Sequence, residues 1–424
     1  MVFNLRNPSV AAWLIPLSYA VGALTVGFTI PRLAYSVLPG FVSTISVNAA
    51  IGIYSAVASG MIGLTGIVFS LTFLMVQFSA TAYSPRLVLW IGRDPVISHA
   101  LGAFTATFLY ALAALAWVDR GGSGRVPLAG TVFVIALLIV SVTMFIFLIQ
   151  RVGMLQVNRM LVFTADQGRK IIENLYPASG TPPEGSAEIA RLPCIQTVLH
   201  HGQVRIIQEV DIPALVEIAS RGAYIIELAA SIGDPVVEAT PILRVLGVGS
   251  SVSESSLRSA ITFGGERTFA QDPKYAIRLL VDIAIKALSP AINDPTTAVQ
   301  ALDHIEDLLI RLGRRRLEIG SFCDAAGHLR LWITFPAWDD FLSLAFDEIR
   351  FYGATSIQVM RRMKALVNEL ISILPEERQP ALRRWQERLQ LAVDRSFADQ
   401  LDRLEGSAED RQGLGSTRRK VERG

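Results

Sequence analysis

The first 150 residues of this chain carry almost no charge, and that constrains its fold more than any other feature. They hold Arg6, Arg32, Arg86, Arg93, Arg120 and Arg125, no lysine, and two acids, Asp94 and Asp119. Hydrophobic residues make up 51% of the 424-residue chain and charged residues 18%. So long an uncharged run exceeds what a water-soluble core absorbs, whereas a bilayer accommodates it. About 20 apolar residues cross the hydrocarbon layer. Four uncharged stretches reach that length, at about 11–31, 57–79, 96–118 and 126–150. Trp13, Trp90 and Trp117 fall near the expected ends, where an amphipathic indole suits the interface. No small-residue cleavage site follows the first stretch, so it reads as an anchor and not as a signal peptide.

Four spans place both termini on one side. Arg6, Arg86, Arg93, Arg151 and Arg159 then face Arg32, Arg120 and Arg125 across the bilayer. The basic excess puts the N- and C-termini in the cytoplasm. Residues 33–85 are longer than one span needs, and Pro39-Gly40 is their one strong breaker pair. A long second helix from about residue 45 to 79 is favoured over a re-entrant segment at 41–54. The sequence also gives this helix a distinct face. At 100° per residue, Ser59, Gly63, Gly66, Ser70, Gln77, Thr81 and Ser84 lie within about 60° of one another. Such a face serves either close helix packing or the lining of a conduit, with Gln77 its most polar point. No buried acid sits mid-span to support ion-coupled pumping.

Downstream the charge balance becomes that of a soluble protein. A connecting helix and linker are expected over 151–190, a small β-rich unit over 191–250, an α-rich region over 251–405 and a disordered tail over 406–424. Gly233-Asp234 and the strands around it resemble the small β-barrels of biotinyl and lipoyl carriers. No lysine occurs between Lys170 and Lys274, so no cofactor is expected. His200-His201 at the end of a strand would point to opposite faces, and no metal site is expected. Cys194 and Cys323 lack CxxC spacing and read as buried, reduced thiols. The net charge of +2 gives no reason to invoke nucleic acid.

Residues 267–297, RTFAQDPKYAIRLLVDIAIKALSPAINDPTT, form the most structured signal. Asp272-Pro273 and Asp294-Pro295 each begin a helix, with Asp as N-cap and Pro in the first turn. Ile277, Leu280, Val281, Ala284 and Leu288 make one apolar stripe, and Val299, Leu302, Ile305, Leu308 and Leu309 the other. The result is a helical hairpin with a stiff corner. Arg267, Gln271, Arg278, Asp282, Asn293 and Asp294 are either a solvated face or one polar cluster holding the corner against a neighbour. There is no P-loop and no nucleophile–base pair, and no catalytic residue is expected.

At these residues the chain resembles a known family. RTFAQDP, LVDIAIKALSPAINDPTTA, FSLTFLMVQFSATAYSPRL and LGAFTATFLY are similar to the bacterial predicted membrane proteins grouped as domain of unknown function 2254. The resemblance covers about residues 10–400. It implies an integral inner-membrane protein with four helices and a cytoplasmic C-terminal region, and it supplies no site residues. The expected fold class is therefore a membrane α-helical domain with four transmembrane helices plus a mixed α/β cytoplasmic region. The bilayer is the first expected partner and further copies of the chain the second; an ion, solute or protein partner stays unidentified. A channel or transport-like protein leads, ahead of a non-conducting sensor or scaffold and a membrane-bound hydrolase.

Overall fold

A peptide group in lipid has no water to bond, so an uncharged chain satisfies itself as helix. The computed structural model describes residues 8–37, 45–82, 95–118, 126, 128–152, 157–178 and 192–415. The chain divides at Gln156/Val157 into two units. In the first, α1 covers Pro8–Val37, α2 Val47–Ala82, α3 Pro95–Leu115 and α4 Leu128–Val152. Among the described residues, three stretches are long and apolar enough to cross a membrane: Val47–Leu74, Val96–Leu115 and Leu128–Gln150. The apolar run described within α1, Leu14–Thr29, is shorter, so the described residues give three qualifying spans where the sequence suggests four. Unbroken α2 settles the choice for its own residues. Its 36 residues extend about 54 Å at 1.5 Å each, against about 30 Å of hydrocarbon. Residues 47–54 belong to that helix rather than to a re-entrant segment; 41–44 lie outside the described residues.

Lipid tails are as apolar as leucine, so these helices associate through close approach and hydrogen bonds. At Gly27 an added Cβ would lie 2.7 Å from the Ala113 Cβ, and at Gly102 2.9 Å from the Tyr19 ring. These two glycines let α1 lie against α3. The Tyr54 and Thr131 hydroxyls pair at 2.7 Å, and those of Thr107 and Ser141 at 2.8 Å. All four residues are buried, so the pairs tie α2 and α3 to α4.

The second unit begins with α5, Val157–Leu175, which buries Met160, Leu161, Thr164, Ala165, Gly168, Ile171 and Ile172 on one face. Among the described residues, eight strands follow in two sheets. Strands β1 (Cys194–Leu199), β5 (Pro241–Leu246), β3 (Ile225–Leu228), β8 (Leu329–Ile333) and β7 (Ser321–Cys323) make the larger one in that order. Within it the β3–β8 pair is parallel, with Ile226 opposite Leu331, and β1–β5, β5–β3 and β8–β7 are antiparallel. β4 (Pro235–Val236), β2 (Arg205–Val210) and β6 (Ile261–Gly264) make the smaller sheet. Val198, Ile207, Leu215, Val236, Leu243, Leu257 and Leu331 share one core. The larger sheet thus draws strands from both sides of the boundary expected at residue 250. Two of its strands, β7 and β8, come from the region expected to be α-rich. Both cysteines are free and exposed, not buried, because they sit on the two outer strands of the larger sheet.

The helical layer holds the hairpin. After α6 (Ile212–Gly222) and α7 (Glu254–Ser259), helix α8 is Pro273–Ala287 and α9 is Pro295–Gly313, the last two each with Asp and Pro in the expected capping positions. The Asp272 side chain accepts from the Lys274 N–H at 3.0 Å, and Asp294 from the Thr297 N–H at 3.1 Å. Leu302, Ile305, Leu308 and Leu309 are fully buried, worth about 1.5–3 kcal/mol each. Around the pair pack α5, α10 (Trp338–Gly353) and α11 (Ile357–Ile373). Beyond them α12 covers Gln379–Ser396 and α13 Gln400–Ser407. The tail expected to be disordered is ordered as far as residue 415. Asp410, only 4% exposed, accepts from the N–H groups of Gln412, Gly413 and Gly415 at 3.1, 3.0 and 2.7 Å. Arg361 donates to the Glu405 carbonyl at 2.5 Å and the Gly415 carbonyl at 2.9 Å. Residues 416–424 lie outside the described residues.

Candidate functional site

Much of the small-residue face of α2 is exposed among the described residues. Ala50, Tyr54, Ala58, Met61 and Val68 form the buried side of the helix. Ser59, Ser70 and Gln77 are exposed on the other side. An added Cβ at Gly52, Gly63 or Gly66 meets nothing within 4 Å, the reverse of Gly27 and Gly102. Among the described residues, no neighbour therefore packs closely on these glycines. The Ser70 hydroxyl is satisfied by the Gly66 carbonyl at 3.0 Å, so it tolerates lipid, water or a second protein surface alike. Thr81 is in the last turn of α2, its side chain outside the described residues, as is all of Ser84.

The six polar residues of the hairpin segment do not converge. They fall into three groups, because the 15 residues of α8 separate its ends by about 22 Å. Ahead of the helix, Arg267 pairs with Asp272 at 2.9 Å. Gln271 clamps the edge of β2 there, accepting from the Val210 N–H at 2.9 Å and donating to the Val210 carbonyl at 3.1 Å. Mid-helix, the Arg278 Nε donates to Asp282 at 2.7 Å, and its two terminal nitrogens grip Glu348 of α10 at 2.8 and 2.7 Å. At the corner, Asn293 adopts a left-handed backbone with φ +48°, and Asp294 caps α9. The geometry thus replaces one cluster with a clamp, a buttress and a cap.

The first group borders a cavity of about 100 Å³, lined among others by Ser231, Gln271, Asp272, Lys274, Thr334 and Asp340. The Asp272 side chain is 3% exposed. Burial pushes its carboxyl above the usual aspartate range, against the pull of Arg267 and Lys274. The turn at Gly233, φ +87°, lies against this carboxylate, leaving no space for a Cβ. A carboxyl and an ammonium beside one small cavity can hold a polar ligand of a few atoms. Among the described residues no three His, Cys, Asp or Glu side chains are grouped to hold a metal. Asp282 is engaged by Arg278 and Asp294 by the α9 N-terminus, so the two carboxylates serve different partners. Sequence reasoning missed Glu348 and Asp340 here. The i, i+4 spacing exposed Arg278–Asp282, but Glu348 lies 70 positions away and carries no local signal.

Comparison with known proteins agrees with this architecture. Residues 10–369 match the family described as predicted membrane protein, DUF2254. An uncharacterized protein of Mycobacterium bovis and one of Mycobacterium tuberculosis are each 28% identical over 418 residues, covering 93% of this chain and 78% of theirs. No solved structure matches. With a family match over most of its length, spanning both the apolar helices and the hairpin, the chain belongs to the DUF2254 family of predicted membrane proteins.

Proposed function

We propose that the protein is a four-span, homo-oligomeric channel or transport-like protein of the bacterial inner membrane, with both termini and the second unit in the cytoplasm. Its second unit regulates or assembles the oligomer. The observation that carries this reading is the exposed face of α2 with Ser59, Ser70 and Gln77. Hydroxyls and an amide suit a passive, uncharged lining, and glycines admit a second helix at close range. Light scattering of the purified protein in detergent, followed by ion and solute flux in liposomes, tests it. The expected result is an oligomer with flux that Gln77→Leu reduces severalfold. A monomer, or flux unchanged by Gln77→Leu, would overturn the reading.

A non-conducting sensor or scaffold is the second reading. It is supported by Phe351 and Tyr352 at the end of α10, 70% and 51% exposed, which offer an aromatic contact to a partner. Crosslinking in cells with and without Phe351→Ser and Tyr352→Ser tests it: a crosslinked partner that survives both changes rules out this surface.

A further inference from the structure

One end of the helical layer in the second unit is poor in charge and carries exposed apolar side chains. Several contacts bring its parts together. Helices α8 and α10 run in parallel: Lys274 and Asp340, near their starts, border one cavity, and Arg278 grips Glu348 further along. At Gly353, the last residue of α10, an added Cβ would lie 3.3 Å from a Leu288 methyl. The end of α10 therefore lies beside the corner that joins α8 to α9. Helix α11 runs parallel to α9, with Arg362 on Asp303 at 2.7 Å and, further on, Leu374 against Gly313, so it begins at the same end. Residues 412–415 reach this end too. Gln358 donates to the Gly413 carbonyl at 2.6 Å, and Gly413 lies against Val299 in the second turn of α9.

Ile292, Phe351, Tyr352 and Leu414 are 41%, 70%, 51% and 72% exposed here, and Pro290 and Ala291 are exposed beside Ile292. Residues 289–297, 351–358 and 412–415 contain one charged side chain, Asp294. Its carboxylate is occupied by the Thr297 N–H and hydroxyl. An apolar patch of this kind marks a surface that is covered in use. Two features say by what. First, Arg169 meets Asp307 at 2.6 Å and Glu173 meets Arg311 at 2.6 Å, and this matched order makes α5 parallel to α9. Val157, the first residue of α5, therefore lies toward the corner end. Five peptide steps, at most about 18 Å of chain, separate it from Val152 at the end of α4. A bilayer crossed by α4 is thus within reach of this end. Second, the flanking charge is basic. Lys286 and Arg350 occupy the last turns of α8 and α10, and beyond Gly415 the sequence adds Arg418, Arg419, Lys420 and Arg423 against Glu422.

We propose that this end of the second unit docks on the surface of an anionic bilayer. Ile292, Phe351, Tyr352 and Leu414 enter the boundary between headgroups and acyl chains, and the flanking basic residues face lipid phosphates. Aromatic and aliphatic side chains bind that boundary through the apolar area they bury, and lysine and arginine add attraction to anionic headgroups. The inference rests on α4 crossing a membrane and goes beyond the channel reading, which holds with or without it.

A nitroxide label on the full-length protein, reconstituted into liposomes at a low protein-to-lipid ratio, tests this. Thr355→Cys and, separately, Thr296→Cys put the label at exposed positions of this end and keep all four apolar side chains. Cys194→Ser and Cys323→Ser remove the native thiols, and Ala326→Cys, in the exposed turn between β7 and β8, is the reference. Oxygen concentrates in lipid and a nickel chelate in water, so the ratio of their collision rates with the label reports depth. In phosphatidylcholine containing phosphatidylglycerol, the ratio is expected to be severalfold higher at 355 and 296 than at 326. Adding Phe351→Ser and Tyr352→Ser is expected to return it to the reference value. A reference value with both aromatics present would overturn the docking. Spin–spin broadening between copies at 355 or 296, without raised oxygen access, would overturn it in favour of a second copy. An equal ratio in phosphatidylcholine alone would overturn the anionic assignment. Retention of the protein in the liposomes after an alkaline wash checks separately that it spans them.

Discussion

Replacing Arg278 with methionine tests whether the charged stripe of α8 is a solvated face or a structural buttress. Methionine keeps most of the side-chain length and removes the charge. A fully exposed pair at this spacing would contribute at most about 1 kcal/mol, and a solvated stripe only a few tenths. The side chains of Arg278, Asp282 and Glu348 are 20%, 16% and 46% exposed. Breaking a fully buried pair from one side costs about 3–5 kcal/mol. Partial exposure of Glu348 reduces that, while the carboxylate of Asp282 would stay mostly buried without its cation. The expected loss for Arg278→Met is therefore about 2–3 kcal/mol. Glu348→Gln should cost about 1 kcal/mol, because Arg278 keeps Asp282, and the double variant should show coupling of at least about 0.5 kcal/mol. Amide hydrogen exchange of the full-length protein in detergent gives the readout, at residues 278–287 of α8 and 345–352 of α10. Protection there should fall about 30- to 140-fold. A change below about 0.5 kcal/mol, or additive single and double variants, would refute the buttress.

Gly168→Ala places a Cβ 2.9 Å from both the Ala276 Cβ and a Leu308 methyl; overpacking should cost about 1–3 kcal/mol, and an unchanged Tm would contradict the close approach of α5 to the hairpin. His304 has its pKa lowered by burial and then by Arg169, so the unfolded chain takes up its proton first. Stability should fall as pH drops below the ordinary histidine value of about 6.5, and His304→Phe should flatten that fall in urea titrations at successive pH values. For Asp272 the sign is opposite. Its raised folded pKa means stability is lost as pH rises from about 3.9 through the folded value. The stability of Asp272→Asn relative to the wild type should therefore climb over that interval, and a flat difference would show that burial does not dominate there.

Much of the helical structure was legible because its determinants are local. Asp272-Pro273 and Asp294-Pro295 set helix starts through contacts two or three residues away, and the apolar stripes of α8 and α9 follow from the helical period. The uncharged α2 could be read as long because nothing in it breaks a helix. What escaped was non-local or masked by composition. Strand β8 joins β3 in parallel across about a hundred residues, and no alternation pattern announces that partner. The cysteines follow from this, since their exposure depends on which strands end up outermost. The segment after Gly406 has the Gly, Ser and charge content of a loose tail. Its order comes from one aspartate, Asp410, whose two oxygens collect three backbone N–H groups, with Gly413 at φ +65° where a side chain would be strained. The polar hairpin residues were identified, but their division into three groups depends on helix rise and on Glu348, which spacing alone does not supply.

The placement of the two thiols has a practical use. Cys194 and Cys323 lie on β1 and β7, with three strands between them, so about 19 Å separates their rows at about 4.8 Å per strand. A disulfide needs Cα atoms about 4.4–6.8 Å apart. Within a folded chain these two sulfurs therefore cannot join. Any covalent dimer that appears under mild oxidation reports two chains in proximity, and the native sequence carries that reporter without an engineered label.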